Sequence, residues 1–71
     1  MNLMAFFKGR KALALQSKGD IKGARTAYEE ATAKGLSDPR MLLAYAILLI
    51  REEEYQAAKD LLVKIQKLPG I

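Results

Sequence analysis

Residues 18–31 read KGDIKGARTAYEEA, and this short stretch contains a complete turn between two helices. Gly19 can adopt the left-handed conformation that ends a helix at little cost, and the Asp20 side chain can cap the amides that follow. After the turn, apolar residues recur at helical spacing at Ala24, Ala27, Tyr28 and Ala31. The stretch therefore predicts a helix that ends before Gly19 and a second helix that begins near Ile21.

The residue pattern of the first half of the chain recurs 34 positions later, so that Ala12, for example, corresponds to Ala46. The identical pairs are Ala12 and Ala46, Leu15 and Leu49, and Ala24 and Ala58. Further pairs agree in kind: Leu13 with Ile47, Asp20 with Glu54, Ile21 with Tyr55, Arg25 with Lys59, and Tyr28 with Leu62. A helix-pair period of this length is typical of repeat proteins, whose units bury their apolar faces by stacking on each other.

Four helices account for the whole chain. We expect them over residues 3–18, 21–34, 39–52 and 55–68, with Gly35 and the Pro69-Gly70 pair ending two of them. Asp38 is placed to cap the third helix, and Pro39 suits its first position. No segment shows the alternation of a β-strand. The predicted fold class is all-α, with two tandem helix-turn-helix repeats, or four antiparallel helices, of an α-solenoid.

The segment over residues 18–31 resembles the second half of a tetratricopeptide repeat (TPR). In that family a glycine and an acidic residue form the turn, and a small residue, an aromatic and an alanine follow. The matching residues here are Gly19, Asp20, Ala24, Tyr28 and Ala31. The resemblance covers about residues 6–68. It implies one TPR-like domain over residues 1–71, with repeat 1 at about 5–37 and repeat 2 at about 38–71.

Repeat 2 departs from the family pattern in its turn and in its last helix. The turn carries Glu53 where the family has glycine, so we expect Glu53 or its neighbour in a left-handed conformation. Leu62 and Ile65 replace the aromatic and the alanine. If Leu49 and Leu62 are buried, truncating either to alanine is expected to cost about 2–5 kcal/mol.

The third helix is apolar on every side from Met41 to Ile50. At about 100° per residue, one face contains Leu42, Tyr45, Ala46 and Leu49, and a second contains Leu43, Ile47 and Ile50. The resemblance implies that the second face lines a concave groove together with residues of the first helix. The predicted partner-binding groove comprises Phe6, Leu13, Gln16, Arg40, Leu43, Ile47, Ile50 and Arg51. The alternative is that the second face is ordinary core packing.

The residue types of the chain argue against catalysis. It has no cysteine and no histidine, which removes the commonest bases, nucleophiles and soft metal ligands. Capping explains Asp20 and Asp38, and Glu52, Glu53 and Glu54 fall in a predicted turn. We therefore expect no enzyme activity, no cofactor and no metal site, and we assign Tyr28, Tyr45 and Tyr55 to the core.

Charge and hydropathy limit the classes of partner. The net charge is only +4, and the lysines are spread over all four predicted helices, so nucleic acid is not the expected partner. No apolar run approaches the ~20 residues that span a bilayer, and no membrane association is expected. The absence of cysteine is compatible with a cytoplasmic protein.

These observations predict a protein–protein interaction scaffold that binds a peptide, a helix or its own copy. The alternative is a structural fragment of a longer TPR solenoid whose ligand is bound by other repeats. Two repeats are few for a solenoid, and Leu61 and Val63 on the last helix are expected to add to an exposed apolar patch. A homo-oligomer is therefore predicted, with a dimer favoured, either a symmetric one that presses equivalent helices together or one in which helices are exchanged between chains.

Overall fold

A computed structural model of the chain describes residues 2–69 and contains four helices. These are α1 (Leu3–Ser17), α2 (Ile21–Ala33), α3 (Pro39–Arg51) and α4 (Tyr55–Gln66), and residues 2–69 contain no strand. α1 pairs with α2 to form unit 1, α3 pairs with α4 to form unit 2, and α3 also contacts both helices of unit 1. The predicted all-α class with four helices is confirmed, and the observed arrangement is two successive helical hairpins.

The three turns between the helices have the same backbone construction. Gly19, Gly35 and Glu53 adopt φ angles of 86°, 90° and 60°, all in the left-handed region. In the first turn the Asp20 amide donates to the Leu15 carbonyl at 2.9 Å, and in the third the Glu54 amide donates to Leu49 at 2.8 Å. Both bonds close the Schellman motif that ends a helix. The expectation of a left-handed residue at Glu53 is confirmed.

Glu53→Gly is expected to raise the free energy of unfolding by about 1 kcal/mol, because a residue with a Cβ is strained at a positive φ and glycine is not. For a domain of this size, that change corresponds to a melting temperature about 4–8 °C higher. Thermal unfolding followed by circular dichroism measures it.

Glu52→Gly is the matched control, since Glu52 has a φ of −87° and gains nothing from glycine. An unchanged or lower melting temperature for Glu53→Gly would show that the glutamate conformation carries no strain.

Side-chain caps fix the beginnings of three helices. Asp20 accepts from the Gly23 amide at 3.0 Å, and Asp38 accepts from the Arg40 amide at 2.9 Å, as predicted. Asn2, which sequence reasoning did not identify, caps α1 by accepting from the Met4 amide at 2.9 Å. Glu54 makes no side-chain cap at the start of α4, since its carboxylate forms an ion pair with Arg25 instead.

Small residues allow the paired helices of each unit to approach closely. Ala12 and Ala24 are completely buried in unit 1, and their repeat equivalents Ala46 and Ala58 are at most 2% exposed in unit 2. Interiors are close-packed, so a larger side chain at any of these positions would force the helices apart. The burial of all four alanines shows that both hairpins are closely packed at these positions.

The predicted orientation of α4 is wrong at three positions. Leu62 is exposed and Leu61 is buried, the reverse of their expected burial, and Tyr55 is 61% exposed. The cause lies in the repeat itself. Tyr28 is buried because α3 covers it, whereas its equivalent Leu62 has no following helix against it within residues 2–69.

Candidate functional site

The contacts between the two units show which sides of the helices a neighbouring helix can cover. Tyr28 of α2 stacks on Tyr45 of α3 with ring centroids 4.8 Å apart. Its hydroxyl donates to the Gln16 side-chain oxygen at 2.6 Å, and the Gln16 amide donates to the Ala44 carbonyl at 3.3 Å. A stacked ring pair and a hydrogen-bonded chain therefore hold α1, α2 and α3 together.

The two stacked tyrosines are held in their neutral form by their surroundings. Burial raises the pKa of Tyr28 to about 12. Burial also raises the pKa of Tyr45, and the Glu29 carboxylate adds to this effect while the Arg25 guanidinium partly offsets it. A phenol is a hydrogen-bond donor only while it is protonated, so the Tyr28 donation to Gln16 persists throughout the physiological range.

An ion pair reinforces the same junction at its edge. The guanidinium of Arg25 on α2 pairs with the Glu54 carboxylate at the start of α4, and Glu29 lies 3.6 Å from the Arg25 Nε. The Arg25 and Glu54 side chains are about one third exposed, so this pair is expected to contribute only about 0–1 kcal/mol. It is a direct side-chain contact between α2 and the residue that precedes α4.

The structure separates the two faces of α3. Leu42, Ala46 and Leu49 are at most 2% exposed. In contrast, Leu43, Ile47 and Ile50 are 47%, 45% and 45% exposed. The interpretation of the second face as core packing is therefore excluded.

The residues of the predicted groove do not all lie on one surface. Phe6 and Leu13 are half-buried against the core clusters, and the polar atoms of Gln16 are occupied by Tyr28 and Ala44. Arg40 joins Phe6 and Leu13 along an open cleft of about 280 Å³ between α1 and α3. The other residues lining that cleft are Arg10, Asp38 and Met41. Arg51 is exposed at the end of α3, and Leu43, Ile47 and Ile50 do not line the cleft.

The position of Leu43, Ile47 and Ile50 follows from the side of α3 that unit 1 covers. Met41 lies against unit 1, since a Cβ added to Gly9 would come within 2.6 Å of its sulfur. Nine residues at about 100° each place Ile50 on the opposite side of α3 from Met41. Leu43 precedes Ile50 by about two helical turns and lies on the same side of α3. Both side chains therefore point away from unit 1.

The 34-residue repeat leads to the same conclusion. Gly9, Leu13 and Gln16 of α1 lie on the side that faces α3, and their equivalents in unit 2 are Leu43, Ile47 and Ile50. The side of α3 that corresponds to the α3-binding side of α1 is therefore uncovered in unit 2. We call this surface the C-terminal surface, and it comprises Leu43, Ile47, Ile50 and Leu62. The repeat was the signal that could have identified it from the sequence.

A second cleft, which sequence reasoning missed, lies between α2 and α4. Its volume is about 310 Å³, and it combines polar and apolar side chains. The lining residues are Thr32, Tyr45, Leu49, Ala57, Asp60, Leu61 and Lys64. No periodic pattern marks this cleft, because it depends on the spacing of two helices that are distant in the chain.

Neither a metal site nor a membrane-spanning helix is found in the part of the chain that the structure describes. Over residues 2–69, no three acidic side chains come together in a way that could hold a metal ion. Over the same residues, no helix has the length and hydropathy needed to cross a bilayer.

Comparison with known proteins leaves the site to be interpreted from its own geometry. No protein-family model matches the chain, and no curated protein and no solved structure shows significant similarity to it.

Proposed function

We propose that this chain is a TPR-like interaction module that binds an α-helix of a partner protein, or of its own copy, at the C-terminal surface. One observation carries the proposal. Leu43, Ile47 and Ile50 are nearly half exposed at positions whose equivalents in unit 1 face α3. An amphipathic helix that docks in such a groove does so through apolar side chains at similar spacing.

Charge at the edge of this surface supports a protein ligand with mixed polarity. Arg40 and Arg51 flank Ile47 on the exposed side of α3, and both are solvent-exposed. Guanidinium groups form paired hydrogen bonds with carboxylates. Arg40 and Arg51 can therefore pair with carboxylates of a protein that approaches this surface.

Ile47→Ser is expected to leave the helical fold largely intact and to weaken binding or self-association. The physical reason is that the Ile47 side chain is 45% exposed, so the change removes contact area from the surface and leaves no buried cavity. Circular dichroism checks the fold, and light scattering of the same samples measures association.

Leu48→Ser is the matched control, since Leu48 is the next residue and is completely buried. It is expected to unfold the chain, because a hydroxyl is placed in the core and a cavity opens. Loss of helix in Ile47→Ser at room temperature would contradict the proposed location of the site.

The alternative function is that of a structural fragment of a longer TPR solenoid, in which a following repeat covers the C-terminal surface. The exposure of Leu62 at the position equivalent to the buried Tyr28 favours this alternative. This alternative predicts that the 71-residue chain is a monomer, and that Ile47→Ser changes neither its oligomeric state nor the binding of the solenoid's ligand.

A further inference from the structure

The exposed large apolar side chains of residues 2–69 lie at the two ends of the stack of units. One group belongs to the C-terminal surface and the neighbouring side of α4. The other group is Leu3, Met4 and Phe7 on α1, which are 64%, 54% and 57% exposed. No large apolar side chain of α2 is exposed in this part of the chain. A partner that covers both ends of the stack would explain why the exposed apolar side chains are concentrated there.

The apolar residues of α1 point away from unit 2. Phe7 precedes Gln16 by nine residues, so at about 100° per residue the two lie on opposite sides of α1. Gln16 faces α3 through its hydrogen bond to Ala44, and Phe7 therefore faces outward. We call Leu3, Met4 and Phe7 the N-terminal surface.

We propose that the C-terminal surface binds the N-terminal surface of a second copy of this chain, head to tail, which deepens and rests on the interaction function proposed above. The junction between units 1 and 2 supplies the geometry. There Met41 of α3 packs at Gly9 of α1. Phe7 precedes Met41 by 34 residues, and Leu43 follows Gly9 by 34 residues. The same contact between two copies therefore places Phe7 of the second copy against Leu43 of the first.

The charges at the junction are also reproduced between copies. Arg25 and Glu54 form an ion pair across the internal junction, and their repeat equivalents are Lys59 and Asp20. Lys59 of one copy would therefore meet Asp20 of the next. Arg51 lies between Ile50 and the acidic pair Glu52 and Glu53, and α1 contains basic residues and no acidic ones. The Lys59–Asp20 contact thus pairs opposite charges beside the two apolar surfaces.

Two basic side chains mark where the junction between copies differs from the internal one. Arg10 and Lys11 stand at the positions equivalent to Ala44 and Tyr45. Their aliphatic stems can cover Ile50 and Leu62 while the charged ends remain in water. Such an interface is heterologous, because different surfaces meet, and it leaves one free surface at each end of the assembly.

The test uses one blocking variant for each end of the chain. Phe7→Lys blocks the N-terminal surface, and Leu43→Lys blocks the C-terminal surface. Both side chains are about half exposed, so both variants are expected to keep the helical circular dichroism of the wild type. Ala33→Lys on the exposed end of α2 controls for the added charge and is expected to associate like the wild type.

Sedimentation velocity separates head-to-tail association from the other arrangements. Each blocking variant alone is expected to stay at the monomer mass of 7.9 kDa at concentrations where the wild type associates. An equimolar mixture of the two is expected to form a complex of twice 7.9 kDa and nothing larger, because one intact C-terminal surface meets one intact N-terminal surface.

Two outcomes would overturn the head-to-tail arrangement, and they differ in what they leave of the proposed function. If one variant associates like the wild type and the mixture forms no new complex, the chain pairs symmetrically and the interaction function stands. If wild type and mixture alike remain at 7.9 kDa, self-association is absent and the C-terminal surface requires a different partner.

Discussion

Tyr28→Ala is expected to unfold the chain or to bring its melting temperature close to room temperature. Tyr28 is completely buried, stacks on Tyr45 and donates a hydrogen bond to Gln16. Removing a large buried aromatic side chain costs about 3–5 kcal/mol. A core of this size supplies only about 3–5 kcal/mol in total, so the loss is comparable to the whole stability. Urea unfolding followed by circular dichroism measures the effect.

Tyr55→Ala is the control for Tyr28→Ala, because Tyr55 is also a helical tyrosine but is 61% exposed. Its effect on stability is expected to stay within about 0.5 kcal/mol. Tyr28→Phe adds a graded comparison, since it keeps the ring and removes only the hydrogen bond, at a cost of about 0.5–1.5 kcal/mol. Equal losses for the two alanine variants would mean that Tyr28 is not the centre of the junction.

Leu42→Ala is expected to destabilise the chain by about 2–5 kcal/mol, and Leu43→Ala by much less. Leu42 is completely buried in the core between the two units, and the cavity left by its truncation cannot be filled by its packed neighbours. Leu43 is 47% exposed, so its truncation opens no cavity. Urea unfolding curves of the two variants, which change the same residue type at adjacent positions, provide the measurement.

The comparison of Leu42→Ala with Leu43→Ala tests whether α3 has a buried side and a free side. Similar losses for both variants would indicate that Leu43 is enclosed in solution, either by the rest of the chain or by a second copy. Repeating the unfolding at several protein concentrations distinguishes these cases, because only enclosure by a second copy depends on concentration.

Local signals in the sequence were sufficient for the helices and turns. Gly19, Asp20, Asp38 and Pro39 act through neighbouring backbone atoms, so their roles could be predicted without knowledge of the fold. The left-handed Glu53 could also be predicted, because its position in the repeat requires the turn of Gly19. The helix ends observed differ from those predicted by only one or two residues.

Features that depend on contacts between the units could not be predicted in the same way. The Arg25–Glu54 ion pair joins residues far apart in the chain, and no spacing rule indicates it. Leu62 matches Tyr28 in the repeat but differs in burial, since burial at this position is decided by the next helix and not by the residue itself. A repeat pattern therefore specifies which surface a unit presents, but not whether that surface is covered.

The same reasoning explains the divided groove. Phe6, Leu13 and Gln16 resemble groove residues in spacing, but they lie on the side of α1 that faces α3. Leu43, Ile47 and Ile50 occupy the equivalent side of α3, where no further helix follows within residues 2–69. The sequence predicted the exposed apolar face of α3, and the structure was needed to place that face at the end of the stack.

Backbone amide chemical shifts recorded over a wide range of protein concentration test the central claim most directly. We expect the amides of residues 43–50 on α3 and residues 3–7 on α1 to shift together as the concentration rises. The amides of α2 beyond its first turn are expected to stay constant, because this helix presents no exposed large apolar side chain and only its cap residue Asp20 meets the second copy. Shifts confined to α2, or none at any concentration, would contradict the assignment of the two ends of the stack as surfaces that bind each other.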